Sequence, residues 1–131
     1  MPAGPHTRSA QLEDRLVEFA VRIVRLSRAL PHDFAGSYFG KQLLRSGSAP
    51  ALNYGEARGA ESDKDFRHKC SIALKELRET YINLKIINKS GLYTSTQLED
   101  LLDENNQLIS IFVRTVRSMD AKINQPKKKG D

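Results

Sequence analysis

Apolar residues recur along this chain in steps of three and four, and four such stripes cover most of its length. Leu12, Leu16, Phe19, Ile23, Leu26 and Leu30 fall on one side of a helical wheel, leave Arg15, Arg22, Arg25 and Arg28 off it, and stop at Pro31. Phe34 to Ala60 reads as a second helical region with Phe39, Leu43 and Leu52 inward; Gly47, Pro50 and Gly55 weaken its interior, and a kink is expected near Pro50. Ser62 followed by Asp65 supplies an N-cap with an acidic third position. From there Phe66, Cys70, Ala73, Leu77, Thr80, Leu84 and Ile87 repeat without a break until Ser90 and Gly91 close the helix. Thr96 with Glu99 makes a capping box for a fourth stripe, Leu98, Leu102, Asn105, Ile109, Phe112, Val116, Met119 and Ile123. Glu99, Asp100, Asp103 and Glu104 near its start, and Arg114, Arg117 and Lys122 near its end, complement the helix dipole.

Short connections between consecutive long helices favour antiparallel neighbours, so the expected fold is all-α: an up-down-up-down antiparallel four-helix bundle over residues 9–124. No strand pattern competes and no internal repeat is present. Residues 1–8, with two prolines and a glycine, and residues 125–131, with Lys127, Lys128 and Lys129, read as a disordered N-terminal segment and a basic disordered tail. A chain of 131 residues makes one ordinary domain, able to bury about two-thirds of its unfolded surface without staples.

Candidate chemistry is sparse. The single Cys70 excludes an internal disulfide and, lying on the third stripe, reads as a small core residue. His6, His32 and His68 are too scattered for a zinc site, so neither metal nor cofactor is expected. No apolar run approaches the roughly 20 residues that span a bilayer, and no signal segment is evident; a cytoplasmic location away from membranes follows as the expectation. Ser46-Gly47-Ser48 has neither a preceding strand nor a histidine placed as base. Gly36, Gly40, Gly47, Gly55 and Gly59 lack the ending of a phosphate loop and are read as letting helices approach closely.

Charge adds a direction. A net charge of +5 favours an anionic partner modestly in a chain that also holds 16 acidic residues. Lys64, Arg67, His68, Lys75, Arg78, Lys85 and Lys89 share one sector of the third helix beside its apolar stripe, with Asp65, Glu76 and Glu79 on the other flank. This is either a ridge for phosphate contacts or a solvated face whose charges pair with a neighbour. Tyr38, Phe39 and Tyr54, flanked by Lys41 and Arg45, read as packing or subunit contacts in preference to a base-stacking platform.

Arg45, Asn53, Glu56, Glu76 and Glu79 sit among residues that otherwise form a bundle seam, and such groups need partners. Paired carboxylates beside an arginine can tune protonation for catalysis, and a hydrolase using Glu76 and Glu79 is the weakest of three readings. A structural polar network is the better one, with the Arg45 guanidinium forked onto carboxylates of the adjoining helix. The run from Arg45 to Ala57, with Asp65-Phe66 and Ile72 to Thr80, resembles the 23S rRNA intervening-sequence four-helix-bundle proteins. The resemblance implies a homopentameric ring, no established catalytic activity, and a structural role for Arg45, Asn53, Glu56, Glu76 and Glu79. Leu52 and Gly55 depart from it, standing where small alanine-like residues are usual. That family is similar in fold to the accessory variability protein of diversity-generating retroelements, a basic ring that works with a reverse transcriptase and nucleic acid. The expected function is therefore non-enzymatic: a self-associating bundle, with no small-molecule substrate, that offers Lys64, Arg67, Lys75, Arg78, Lys85, Lys89, Lys127, Lys128 and Lys129 to RNA or to an RNA-handling partner. The alternative is an oligomeric scaffold that binds no nucleic acid.

Overall fold

The computed structural model describes residues 7–125, which form four helices and no strand. Residues 1–6 and the Lys127, Lys128 and Lys129 tail lie outside the described residues. Helix α1 (Arg8–Ala29) is opened by Thr7, whose hydroxyl accepts the Ala10 N–H at 3.0 Å, so Thr7 and Arg8 belong to the helix and not to the terminal segment expected over residues 1–8. Its stripe is buried from Leu16 to Leu30.

Helix α2 (Phe34–Arg58) starts at Asp33, whose carboxylate accepts the Gly36 N–H at 2.8 Å, and it runs on through Pro50. Its inward face is made largely of small residues: Gly36, Ser46, Gly47, Pro50 and Ala57 accompany Leu43 and Tyr54. At Gly47 a Cβ would come within 2.7 Å of Ile23 Cγ2, so the missing side chain is what lets α1 and α2 approach closely there. Leu52 does not point inward as expected but is 65% exposed. Nine residues from Leu43 at about 100° each amounts to two and a half turns, which places the two leucines on opposite faces. Tyr54 takes the inward position and packs edge-on against Phe66 and Phe112, with centroids 6.4 and 5.6 Å away. It is a core residue and not the subunit contact the sequence suggests.

Helix α3 (Asp63–Lys89) begins as its cap predicts, with the Asp65 N–H donating to Ser62 Oγ at 3.1 Å. Cys70, Ala73, Leu77, Thr80, Leu84 and Ile87 are buried along it, and Gly91, at φ 75°, turns the chain in the left-handed region that glycine favours. Helix α4 (Thr96–Ile123) is capped one residue earlier than the expected Thr96 box: Ser95 Oγ accepts the Gln97 N–H at 3.1 Å. Its buried seam runs through Leu98, Leu101, Asn105, Leu108 and Phe112, while Leu102 and Ile109 are only partly covered.

Consecutive helices pack side by side, α1 on α2, α2 on α3 and α3 on α4, and the closing pair α1 and α4 meets more sparsely. Arg15 clasps that last seam, donating to the two Glu104 carboxylate oxygens at 2.7 and 2.8 Å and to Gln107 at 2.7 Å. A small polar layer lies inside the bundle. The Thr80 hydroxyl is within 2.9 Å of Ser46 Oγ and 2.8 Å of the Glu76 carbonyl, and Asn105 donates from Nδ2 to the Leu77 carbonyl at 3.0 Å. Asn105 Oδ1 is buried and has no hydrogen-bond partner.

Candidate nucleic-acid interface

The outer side of α3 carries most of the basic residues singled out in the sequence. Lys64, His68, Lys75, Arg78, Lys85 and Lys89 are exposed. Lys64, Lys75, Arg78, Lys85 and Lys89 form no ion pair among the described residues. From Lys75 to Lys89 the helical rise spreads these cations over about 20 Å. Arg67 is different: it donates to both Asp120 oxygens of α4 at 2.9 and 3.3 Å, and this hydrogen bonding, with the nearby charge, holds its guanidinium still more firmly protonated. It braces two helices and adds little positive field to the ridge. Lys85 lies 5.3 Å from the centroid of the Tyr81 ring, a cation–π contact that fixes its direction without neutralising it.

The ridge is also less uniform than the charge pattern suggests. Ile82 and Ile86 are exposed and alternate with Arg78, Lys85 and Lys89 on the same face. The sequence reading passed over them because both lie outside the stripe, although an isoleucine among lysines on an outward sector is itself a signal. On α2, Phe34 is 93% exposed and Tyr38 is exposed, its ring edge-on to Phe39 at 5.1 Å; Leu44 and Leu52 are exposed farther along that helix, with Lys41 and Arg45 exposed between Tyr38 and Leu52.

The structural polar residues divide into three groups. Arg45 spans from α2 to α3, donating to Glu76 at 3.1 and 3.2 Å and pairing with Glu79. The guanidinium side chain is 51% exposed and that of Glu76 only 17%, so the pair is a surface clasp with one sheltered end. Glu56 turns instead to Lys69 at 2.7 Å, raising the lysine pKa through that hydrogen bond and the accompanying charge attraction. Asn53 donates to the Ala49 carbonyl of its own helix at 2.9 Å. Five residues expected in one network thus form an inter-helix clasp, a separate ion pair and a local helix contact. Arg45 thus engages both of the carboxylates nearest to it, Glu76 and Glu79. Among the described residues no cluster of His, Cys, Asp and Glu could hold a metal ion. Cys70 is buried, and desolvation pushes its thiol up to about 11.

A family model described as 23S rRNA-intervening sequence protein matches residues 9–114, the three-and-a-half helices that carry the Arg45 clasp, the Ser46–Thr80 contact and the α3 ridge. The chain belongs to that family. A solved structure from Bacteroides thetaiotaomicron, described as a protein of unknown function from the S23 ribosomal protein family, is 32% identical and superposes with a TM-score of 0.78, covering 85% of this chain and 99% of its own. No curated protein matches. Membership of the 23S rRNA-intervening sequence proteins agrees with the four-helix architecture, and the solved relative is itself described as of unknown function. No described helix is long and apolar enough to cross a membrane.

Proposed function

We propose that this protein is a non-enzymatic, cytoplasmic member of the 23S rRNA-intervening sequence family that self-associates and binds RNA, or an RNA-handling partner, through the basic face of α3. The observation behind this reading is the row of exposed cations, Lys75, Arg78, Lys85 and Lys89, left without carboxylate partners while other basic residues of the same helix are paired. Contacts of this kind go to phosphates and carry little sequence preference. Assembly, a ring of five by family resemblance, would repeat the ridge around an axis and multiply weak single-site binding. The α2 surface around Phe34 and Tyr38 is the one we assign to subunit contact, two exposed aromatic side chains one helical turn apart.

Two measurements test this. RNA binding across a salt titration should weaken with a log-log slope of about −0.7 per phosphate contacted on a single strand, and Lys75→Glu, Arg78→Glu and Lys85→Glu together should abolish it with helicity unchanged. Light scattering should give an assembly for the wild type and a monomer for Phe34→Glu with Tyr38→Glu. Exposed Ile82 and Ile86 within the ridge favour a second reading, a scaffold whose α3 face meets protein. Undiminished RNA binding by the triple variant, or a wild type that binds none, would leave that reading in place.

A further inference from the structure

Helices α1 and α4 pack least closely of the neighbouring pairs, and beside the Arg15–Glu104 clasp a groove of about 840 Å³ opens between them. Leu12, Tyr54, Phe66, Ile111 and Met119 supply its carbon surface. Arg8, Arg15 and Arg114 also line it, with Ser9, Gln11, Thr115 and Ser118, and no described residue lining it carries a carboxylate. Arg15 is neutralised by Glu104. Arg8 and Arg114, one from each wall, are exposed and have no ion pair among the described residues.

Ser118 leaves a hydroxyl on the groove, while its other hydroxyl groups are engaged within the protein. Tyr54 is paired with Ser9 at 3.4 Å, and Thr115 donates to the Ile111 carbonyl at 2.9 Å. Leu12, Phe66, Ile111 and Met119 offer a ligand no hydrogen bond, so this carbon-lined part of the groove suits a hydrocarbon chain, which has no donor or acceptor to leave unmatched. The lining runs from Ile111 to Met119 along α4, about 12 Å of helical rise, the length of one medium acyl chain.

We propose that the α1–α4 groove binds a single-chain anionic amphiphile, a medium-chain carboxylate whose tail lies against Leu12, Tyr54, Phe66, Ile111 and Met119 and whose head group is held by Arg8 and Arg114. This site is separate from the α3 ridge and stands or falls independently of RNA binding. Calorimetric titration of the full-length protein with decanoate, below its micelle concentration, should show saturable binding of one molecule per chain. The neutral 1-decanol should bind at least tenfold more weakly and acetate should give no signal. Arg8→Gln with Arg114→Gln, two exposed positions that leave the bundle intact, should weaken decanoate at least tenfold. Ile111→Trp, checked for unchanged helicity and elution volume, should abolish it. Absence of saturable decanoate binding up to millimolar concentration overturns the proposal, as does equal binding of 1-decanol or undiminished binding by the double arginine variant.

Discussion

Replacing Asn105 with Leu should stabilise the bundle, although it removes a hydrogen bond. Asn105 is fully buried in the α4 seam; Nδ2 donates to the Leu77 carbonyl and Oδ1 meets nothing. A buried acceptor left unpaired costs about 1–3 kcal/mol, while a made hydrogen bond contributes only about 1 kcal/mol net. The Leu77 carbonyl, inside α3, keeps its own helical donor after the change, so nothing new is orphaned. Leucine also returns apolar area to a seam already lined by Leu101 and Leu108. The balance is a gain of about 1–2 kcal/mol, or roughly 3–8 °C in Tm for a domain of this length. Urea denaturation followed by circular dichroism, with thermal melts at matched concentration, measures it. A midpoint that stays put or falls, at unchanged m-value, would refute the reasoning and place a partner, such as an internal water, on Oδ1. Asn105→Ala separates the two contributions, since it relieves the orphaned oxygen without refilling the space.

Arg45→Met should cost about 1 kcal/mol by denaturant titration, less than a buried ion pair would, because the guanidinium is half exposed; a loss of several kcal/mol would mean the clasp is sheltered in solution, for example by a neighbouring subunit. Gly47→Ala should destabilise by about 1–3 kcal/mol, since its methyl group would crowd the fully buried Ile23, and an unaltered Tm would show that the α1–α2 contact yields freely. The Cys70 thiol is raised from 9.0 to about 11 by burial, so the folded state holds its proton more tightly than the unfolded state does. Its contribution is complete below pH 9 and is lost as pH climbs toward 11; stability across that window should fall less steeply in Cys70→Ala than in the wild type. Native Cys70 should also resist thiol reagents at pH 8 until urea unfolds the chain, which a colorimetric thiol assay reads directly.

What the sequence disclosed depended on whether burial was written in large apolar residues. The α1 and α3 stripes were legible because Leu16, Phe19 and Ile23, and Leu77, Leu84 and Ile87, are bulky and evenly spaced. On α2 the buried face is written in Gly36, Ser46, Gly47 and Pro50, types that carry no hydrophobic signal, and so Leu52 was drawn inward and Tyr54 outward against the actual geometry. Counting the turns from Leu43 would have separated Leu52 from the core, whereas which glycines serve close approach shows only in the packing, where Gly47 meets Ile23 and Gly55 meets nothing. The α3 ridge was legible as a set of positions. Which of its cations are neutralised was not, because Asp120 lies 53 residues from Arg67 and only the packing of α4 brings them together. The α1–α4 groove left no trace in any single stripe, being a property of the gap between two.

The sparse meeting of α1 and α4 bears on how the chain folds. Every extensive helix pairing joins elements that are consecutive in the sequence, so the bundle can be built from successive hairpins with short loops to close, a topology associated with folding in microseconds to milliseconds. Contact between the first and last helices is the one closure between non-consecutive elements, and Arg15 clasps it to Glu104 and Gln107. That seam should be the last to form and the first to open, and amide hydrogens of α1 and α4 near it should exchange by a lower-energy route than those of the α2–α3 pair, whose protection reports the unfolding of the whole molecule.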